Sequence, residues 1–314
     1  MWIKLAVSVF LLICITLASL SKVRVADIGV DAWLGCETAS EITIDGNVYY
    51  ACQNEVTPEL LNRLSLVSAV KNFSRDRLGF ERTENYIFYN PSPQMIYRLY
   101  VTGEFQIPQK ARGWIYLHQD SQYREEISSP IILQSWFDNL KDEEAYYREK
   151  GYDTYRREYS NYGGGCYLSD TFLSSSIPYQ VATIIHEDWH DNIEQDFNNE
   201  ESTATLIGRI GAIFFIGEHF GTTSEEYSRA KERLQEWVNY SREIVDCNKM
   251  LLDLYRSDLS ENEMRETKKT LLEGTSYNNA LIWGTLPYTV KFNELYPLYN
   301  GNLEEFLEIL KGIE

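Results

Sequence analysis

The chain has 314 residues, 44% of them apolar and 24% charged, which is the balance of an ordinary globular protein and excludes a largely disordered one. Its net charge of −18 repels phosphate backbones, so nucleic acid is excluded as a natural partner. The length suffices for one large domain or two modest ones.

In chain order, Lys4 precedes an apolar run from Leu5 to Leu20, read as a secretory signal or short membrane anchor over residues 1–21. The expected location is therefore exported, either in the cell envelope through this segment or secreted. Cys14 follows Ile13, the wrong neighbour for a lipid-acceptor cysteine, and Cys36 lies well past the apolar run. Cys36, Cys52, Cys166 and Cys247 allow two disulfides or four thiols, and Cys36–Cys52 would close a local loop.

Residues 22–314 are read as one domain of α+β class. It has an N-terminal part (22–150) with a small sheet and helices, and a mostly helical part (151–314). Thr57-Pro58 opens a helix that ends near Gly79. Strand-like runs follow at Tyr86–Tyr89, Ile96–Val101 and Trp114–Leu117. A charged helix is expected over Ser135–Lys150, and a polar stretch follows it to the glycine-rich Tyr162–Tyr167. Ser176-Ile177-Pro178 starts a helix, and Glu200–Ile216 forms the next. A long third helix begins after Thr223 or Ser224, with Thr223 and Glu226 as a capping box. Ser260 with Glu263 repeats that signal, and Asn302 caps the last helix.

Two of the four histidines lie in His186-Glu187-Asp188-Trp189-His190, an HExxH motif. The spacing of four puts both imidazoles on one helical face, able to share one zinc ion. Glu187 follows the first histidine, placed to act as general base on a water that the metal activates. A catalytic zinc needs a third protein ligand. Spacing alone leaves Glu201, Glu200 and His219 open. Ala204, Thr205, Gly208 and Ala212 share a helical face with Glu201, and small side chains there would let two helices approach closely.

Several segments resemble the putative aminopeptidase family, a gluzincin-type group of exported bacterial proteins. The counterparts are Gly151-Tyr152-Asp153-Thr154-Tyr155, Glu158-Tyr159-Ser160 through Ser169-Asp170, the HEDWH motif, Glu201-Ser202-Thr203-Ala204-Thr205, Asn278-Asn279-Ala280 and Gly301-Asn302-Leu303. Weaker likeness covers Leu78-Gly79 and Phe105 to Leu117. Asp188 and Trp189 replace a leucine and an alanine of the family pattern, which implies different helix packing. The resemblance implies a zinc-dependent peptidase, an aminopeptidase by family name, with His186, His190 and Glu201 as metal ligands. It also implies a tyrosine or histidine as donor to the developing oxyanion, with Tyr288 the first candidate and His219 the alternative. Gly163, Gly164, Gly165 and Tyr167 would form a strand that pairs with the peptide substrate. The amine-binding carboxylate is not chosen by spacing among Glu194, Asp196 and Glu200. An endopeptidase therefore stays open, as does an inactive zinc-containing envelope binding protein.

Overall fold

A computed structural model of the chain describes Leu34 and residues 36–93, 95–107, 114–159, 167–192 and 197–312. The expected leader, residues 1–21, lies outside them. Among the described residues, no helix is long and apolar enough to cross a membrane.

The first element is a hairpin, β1 (Ala39–Ile44) and β2 (Asn47–Cys52). Asp45 and Gly46 turn it with φ of 46° and 80°, the two positive values that a two-residue hairpin turn requires. Cys36 and Cys52 form a disulfide that ties the approach of β1 to the end of β2, and Cys247 is a buried thiol. Helix α1 (Pro58–Leu78) has the expected ends. The Leu60 amide donates to Thr57 Oγ1 at 3.1 Å, Pro58 opens the first turn, and Gly79 closes it at φ 73°.

Next come β3 (Phe88–Tyr89), β4 (Ile96–Thr102), β5 (Trp114–Leu117) and β6 (Ile131–Ser135). Helix α2 (Leu140–Glu149), β7 (Asp153–Tyr159), β8 (Tyr167–Leu168) and the single turn α3 (Asp170–Leu173) follow. The remaining helices are α4 (Ile177–Asn192), α5 (Phe197–Phe220), α6 (Glu225–Tyr255), α7 (Glu261–Leu271), α8 (Asn279–Leu295) and α9 (Leu303–Gly312).

Among the described residues the fold is α+β, with two four-stranded sheets where one small sheet was expected. Their strand orders are β1-β2-β3-β8 and β5-β6-β4-β7. Strands β7 and β8 lie beyond residue 150, so each sheet draws on both parts of the chain. β4 pairs antiparallel with β6 and β7, and β5 joins β6 in parallel. Alternation along the second sheet serves two helices. Leu99, Val101, Ile131 and Leu133 pack on Leu140 and Tyr147 of α2, while Tyr100 and Ile132 pack on Ala280 and Trp283 of α8. The expected helix over Ser135–Lys150 starts later, at Leu140, because Ile131–Ser135 is a buried strand.

The largest core joins α1, α4, α5, the start of α6 and α9, around residues such as Leu64, Ile184, Ile207 and Phe306. The cap of α6 is Ser224, whose hydroxyl accepts from the Tyr227 amide at 3.2 Å, and not the expected Thr223. The Ser260–Glu263 box and the Asn302 cap form as expected.

The Asn278-Asn279 pair anchors α8 to the second sheet. Asn278 caps the helix through the Leu281 amide at 2.8 Å and donates to the Thr154 carbonyl at 3.0 Å. Asn279 is buried and donates to the Gly103 and Glu104 carbonyls, while its own amide reaches Asp153 at 3.1 Å.

Candidate active site

Helix α4 is two-faced. Val181, Ile184, Ile185 and Trp189 are buried in the main core, while Ala182, Thr183, His186, Glu187 and His190 line a cavity of about 480 Å³. The His186 and His190 Nε2 atoms stand 3.0 Å apart. Helix α5 brings Glu201 to them, with Oε2 3.3 Å from His186 Nε2 and 3.6 Å from His190 Nε2. Two ligands held about 2.0–2.1 Å from a tetrahedral zinc lie about 3.3 Å from each other, so these separations suit a shared ion. The donor set of two imidazoles and a carboxylate suits zinc chemically as well.

Glu201 Oε2 is buried and makes no hydrogen bond of good geometry. Burial pushes the Glu201 carboxyl up, but the two adjacent imidazoles outweigh it and hold the group down at about 2. It is an ionised carboxylate aimed at two ring nitrogens, as a ligand would be.

Close helix packing makes this convergence possible. A Cβ added at Gly208 of α5 would lie 2.4 Å from the Ala182 carbonyl oxygen of α4 and 3.2 Å from His186 Cβ. Only glycine lets the two backbones approach so closely at that point. Ala204 and Ala212 are buried on the same helix.

The departures inside the motif have a structural use. Asp188 is buried and takes an ion pair from Lys71 of α1 at 3.2 Å, with side-chain exposures of 4% and 5%. The Thr83 hydroxyl also donates to Asp188. Trp189 meets Phe80 edge-on with ring centroids 5.8 Å apart. Asn85 donates to the Glu187 carbonyl at 2.8 Å and to Asp191 at 2.9 Å. The motif helix is thus clamped from behind by α1 and the segment that follows it.

Tyr288 lines the same cavity from α8. It follows Pro287, whose carbonyl accepts a hydrogen bond from Ser202 Oγ at 2.7 Å, one residue past Glu201. Burial, with the Glu201 charge second, pushes its phenol well above 10, so it remains protonated and able to donate. The Arg157 guanidinium lies 4.8 Å from its ring.

The structure does not bring every expected residue to this place. His219 is exposed near the end of α5, stacked on Phe215, eighteen residues past Glu201 and about 27 Å along the helix. Tyr167 lies on the two-residue strand β8 beside Phe88 and does not line the cavity. Gly163, Gly164 and Gly165, with Glu194 and Asp196, fall outside the described residues, as does the Glu200 side chain. Besides Arg98 of β4, the cavity is bordered by β7, an edge strand among the described residues, through Arg157, Glu158 and Tyr159. Sequence reasoning passed over that strand because its charges read as a polar stretch. It also passed over Arg98, Arg157, Arg209 and Arg233, which line the cavity. For Arg209 a signal existed: Glu201, Thr205 and Arg209 recur every fourth residue on one helix.

Comparison with known families matches residues 48–283 to the one described as putative aminopeptidase. The match covers about three quarters of the chain, which belongs to that family. No curated protein and no solved structure matches it.

Proposed function

We propose that this member of the putative aminopeptidase family is a zinc-dependent peptidase that trims peptides from the amino end. The observation that carries the reading is the convergence of His186, His190 and Glu201 in one cavity, with a buried carboxylate oxygen turned toward both rings. These three residues would hold the metal. A zinc ion bound there supplies Lewis-acid chemistry, acidifying the attacking water and polarising the scissile carbonyl.

The protein's own groups do the rest. Glu187, on the cavity wall, takes the proton of the attacking water and returns it to the leaving amine. Tyr288 keeps its phenolic proton and donates it in a hydrogen bond to the carbonyl oxygen as negative charge builds there. Arg157, Glu158 and Tyr159 of the edge strand β7 line the cavity, and an extended peptide could be held there. The preference for amino ends follows the family's description.

The Cys36–Cys52 disulfide supports an exported setting, where thiols oxidise and persist as disulfides. The apolar segment at residues 5–20 would serve as the export signal or anchor.

The test pairs metal analysis of the full protein with hydrolysis of a peptide library, before and after chelation. One zinc per chain and chelator-sensitive trimming from the amino end are expected. Glu187→Gln should keep the zinc and lose about 10²–10⁴-fold in kcat. Cuts within peptides would replace the aminopeptidase reading by an endopeptidase. Bound zinc without any cleavage would point to a binding protein, and absence of metal uptake would overturn the proposal.

A further inference from the structure

The chain has 47 acidic residues against 29 basic ones, yet four arginines line the cavity: Arg98, Arg157, Arg209 and Arg233. Among the described residues none of the four makes an ion pair with a carboxylate. Arginines elsewhere do, as Arg77 with Glu218 and Glu304, and Arg265 with Glu104. Each cavity arginine instead lies over an aromatic ring. The guanidinium carbon is 4.3 Å from the Trp114 centroid for Arg98, 4.8 Å from Tyr288 for Arg157, 4.4 Å from Trp237 for Arg209 and 5.6 Å from Tyr179 for Arg233. Stacking occupies the flat face of a guanidinium and leaves its N–H edge to meet a planar anion. The cavity's carboxylates are committed elsewhere. Glu201 faces the imidazoles, Glu158 pairs with Arg156 at 2.9 Å, and Glu187 stands beside the metal ligands.

Arg209 and Arg233 are linked to each other directly. Arg209 Nη1 donates to the Arg233 carbonyl at 3.1 Å, and Arg233 Nη1 to Ser176 Oγ at 3.4 Å, both neutral acceptors. Arg209 Nε is buried without an acceptor. Burial, then the Arg233 charge, pushes the Arg209 guanidinium down to about 10, and Glu236 opposes them from beyond ion-pair distance. A largely desolvated guanidinium with a like charge nearby favours the arrival of an anion.

We propose that Arg209 and Arg233 form a carboxylate-binding subsite, so that the cleft selects peptides bearing a carboxylate a few residues from the scissile bond. The distance follows from the helix. Arg209 lies eight residues beyond Glu201, about 12 Å along α5. An extended peptide covers that in about three to four residues. The carboxylate is either an acidic side chain or the C-terminus of a short peptide. This rests on the peptidase reading of the metal site.

The test measures binding by calorimetry to the metal-free full-length protein, so that turnover does not enter. Three ligands are compared: an alanine tetrapeptide as free acid, the same peptide as its C-terminal amide, and an amide with glutamate as fourth residue. The free acid, the glutamate amide or both should bind about tenfold tighter than the plain amide, with the preference shrinking as salt rises. Tighter binding of the free acid alone assigns the subsite to peptide termini, and of the glutamate amide alone to acidic side chains. Arg233→Gln, at a half-exposed position, should bring the ligands to within about twofold. Equal binding of all three to the unaltered protein overturns the subsite. If the zinc-loaded protein still cleaves the plain amide, the peptidase reading survives that result. If no peptide is bound or cleaved, both readings fall.

Discussion

Gly208→Ala tests how the proposed metal ligands are brought together. The added methyl would lie 2.4 Å from the Ala182 carbonyl oxygen, where ordinary contact begins near 3.4 Å. The obstacle is backbone, so no side chain can turn aside, and α4 and α5 must separate by about 1 Å. Metal coordination tolerates about 0.2 Å. The same methyl also presses on His186 Cβ at 3.2 Å, so the displacement falls on a ligand. Alanine brings back about 1 kcal/mol of helix propensity, against an overpacking cost of about 1–3 kcal/mol. The metal-free protein should therefore lose about 0–2 kcal/mol, while zinc affinity should fall about 10–100-fold. Competition against a chromophoric chelator reads the affinity, and thermal melts with and without zinc read the stability. Gly217→Ala is the control, because its methyl meets side chains and no backbone, the nearest being the Tyr227 ring at 3.2 Å, which can shift. Zinc binding by Gly208→Ala equal to that of the parent, with an unchanged or higher Tm, would refute the reasoning.

Lys71→Met should cost about 3–5 kcal/mol in denaturant unfolding, because it strands the buried Asp188 charge. Adding Asp188→Leu should restore much of that loss, and a single-variant cost below about 1 kcal/mol would show that the pair carries little. Tyr288→Phe should lower kcat about 10²–10³-fold with zinc content unchanged, and an unaltered kcat would remove Tyr288 from the mechanism. Glu104 receives two hydrogen bonds from Arg265, at 2.7 and 2.9 Å, which lower its carboxyl below the usual range. Its contribution to stability is full above the unfolded carboxylate range and fades as pH falls through the lowered folded value. Glu104→Gln should therefore lower Tm at neutral pH and make little difference in acid; an equal deficit at both would contradict the ion pair as its source.

What the sequence revealed was what short spacing encodes. The HExxH helix, its face and the caps at Thr57, Ser260 and Asn302 all lie within a few residues of the groups they serve. The small residues on the face of Glu201 likewise pointed to a close helix pair, and at Gly208 a Cβ would meet the facing backbone. The two-sheet architecture escaped because pairing is non-local. β7 carries Arg156, Arg157 and Glu158, so its composition resembles a loop until β4 is seen beside it. Asp188 read as a simple departure from the family pattern, since its partner Lys71 lies 117 residues away. The cavity arginines were hidden by the opposite sign of the whole chain's charge.

The anchoring of α8 by Asn278 and Asn279 has a consequence for when the cleft is complete. The metal motif is local and can coil as soon as residues 177–192 exist. Tyr288 takes its place only when α8 docks on Gly103, Glu104 and Thr154, segments more than a hundred residues earlier. A chain still being made thus contains the HExxH segment before it contains a complete cleft. On the proposed function, catalysis would therefore await the docking of α8, when segments far apart in the chain have met.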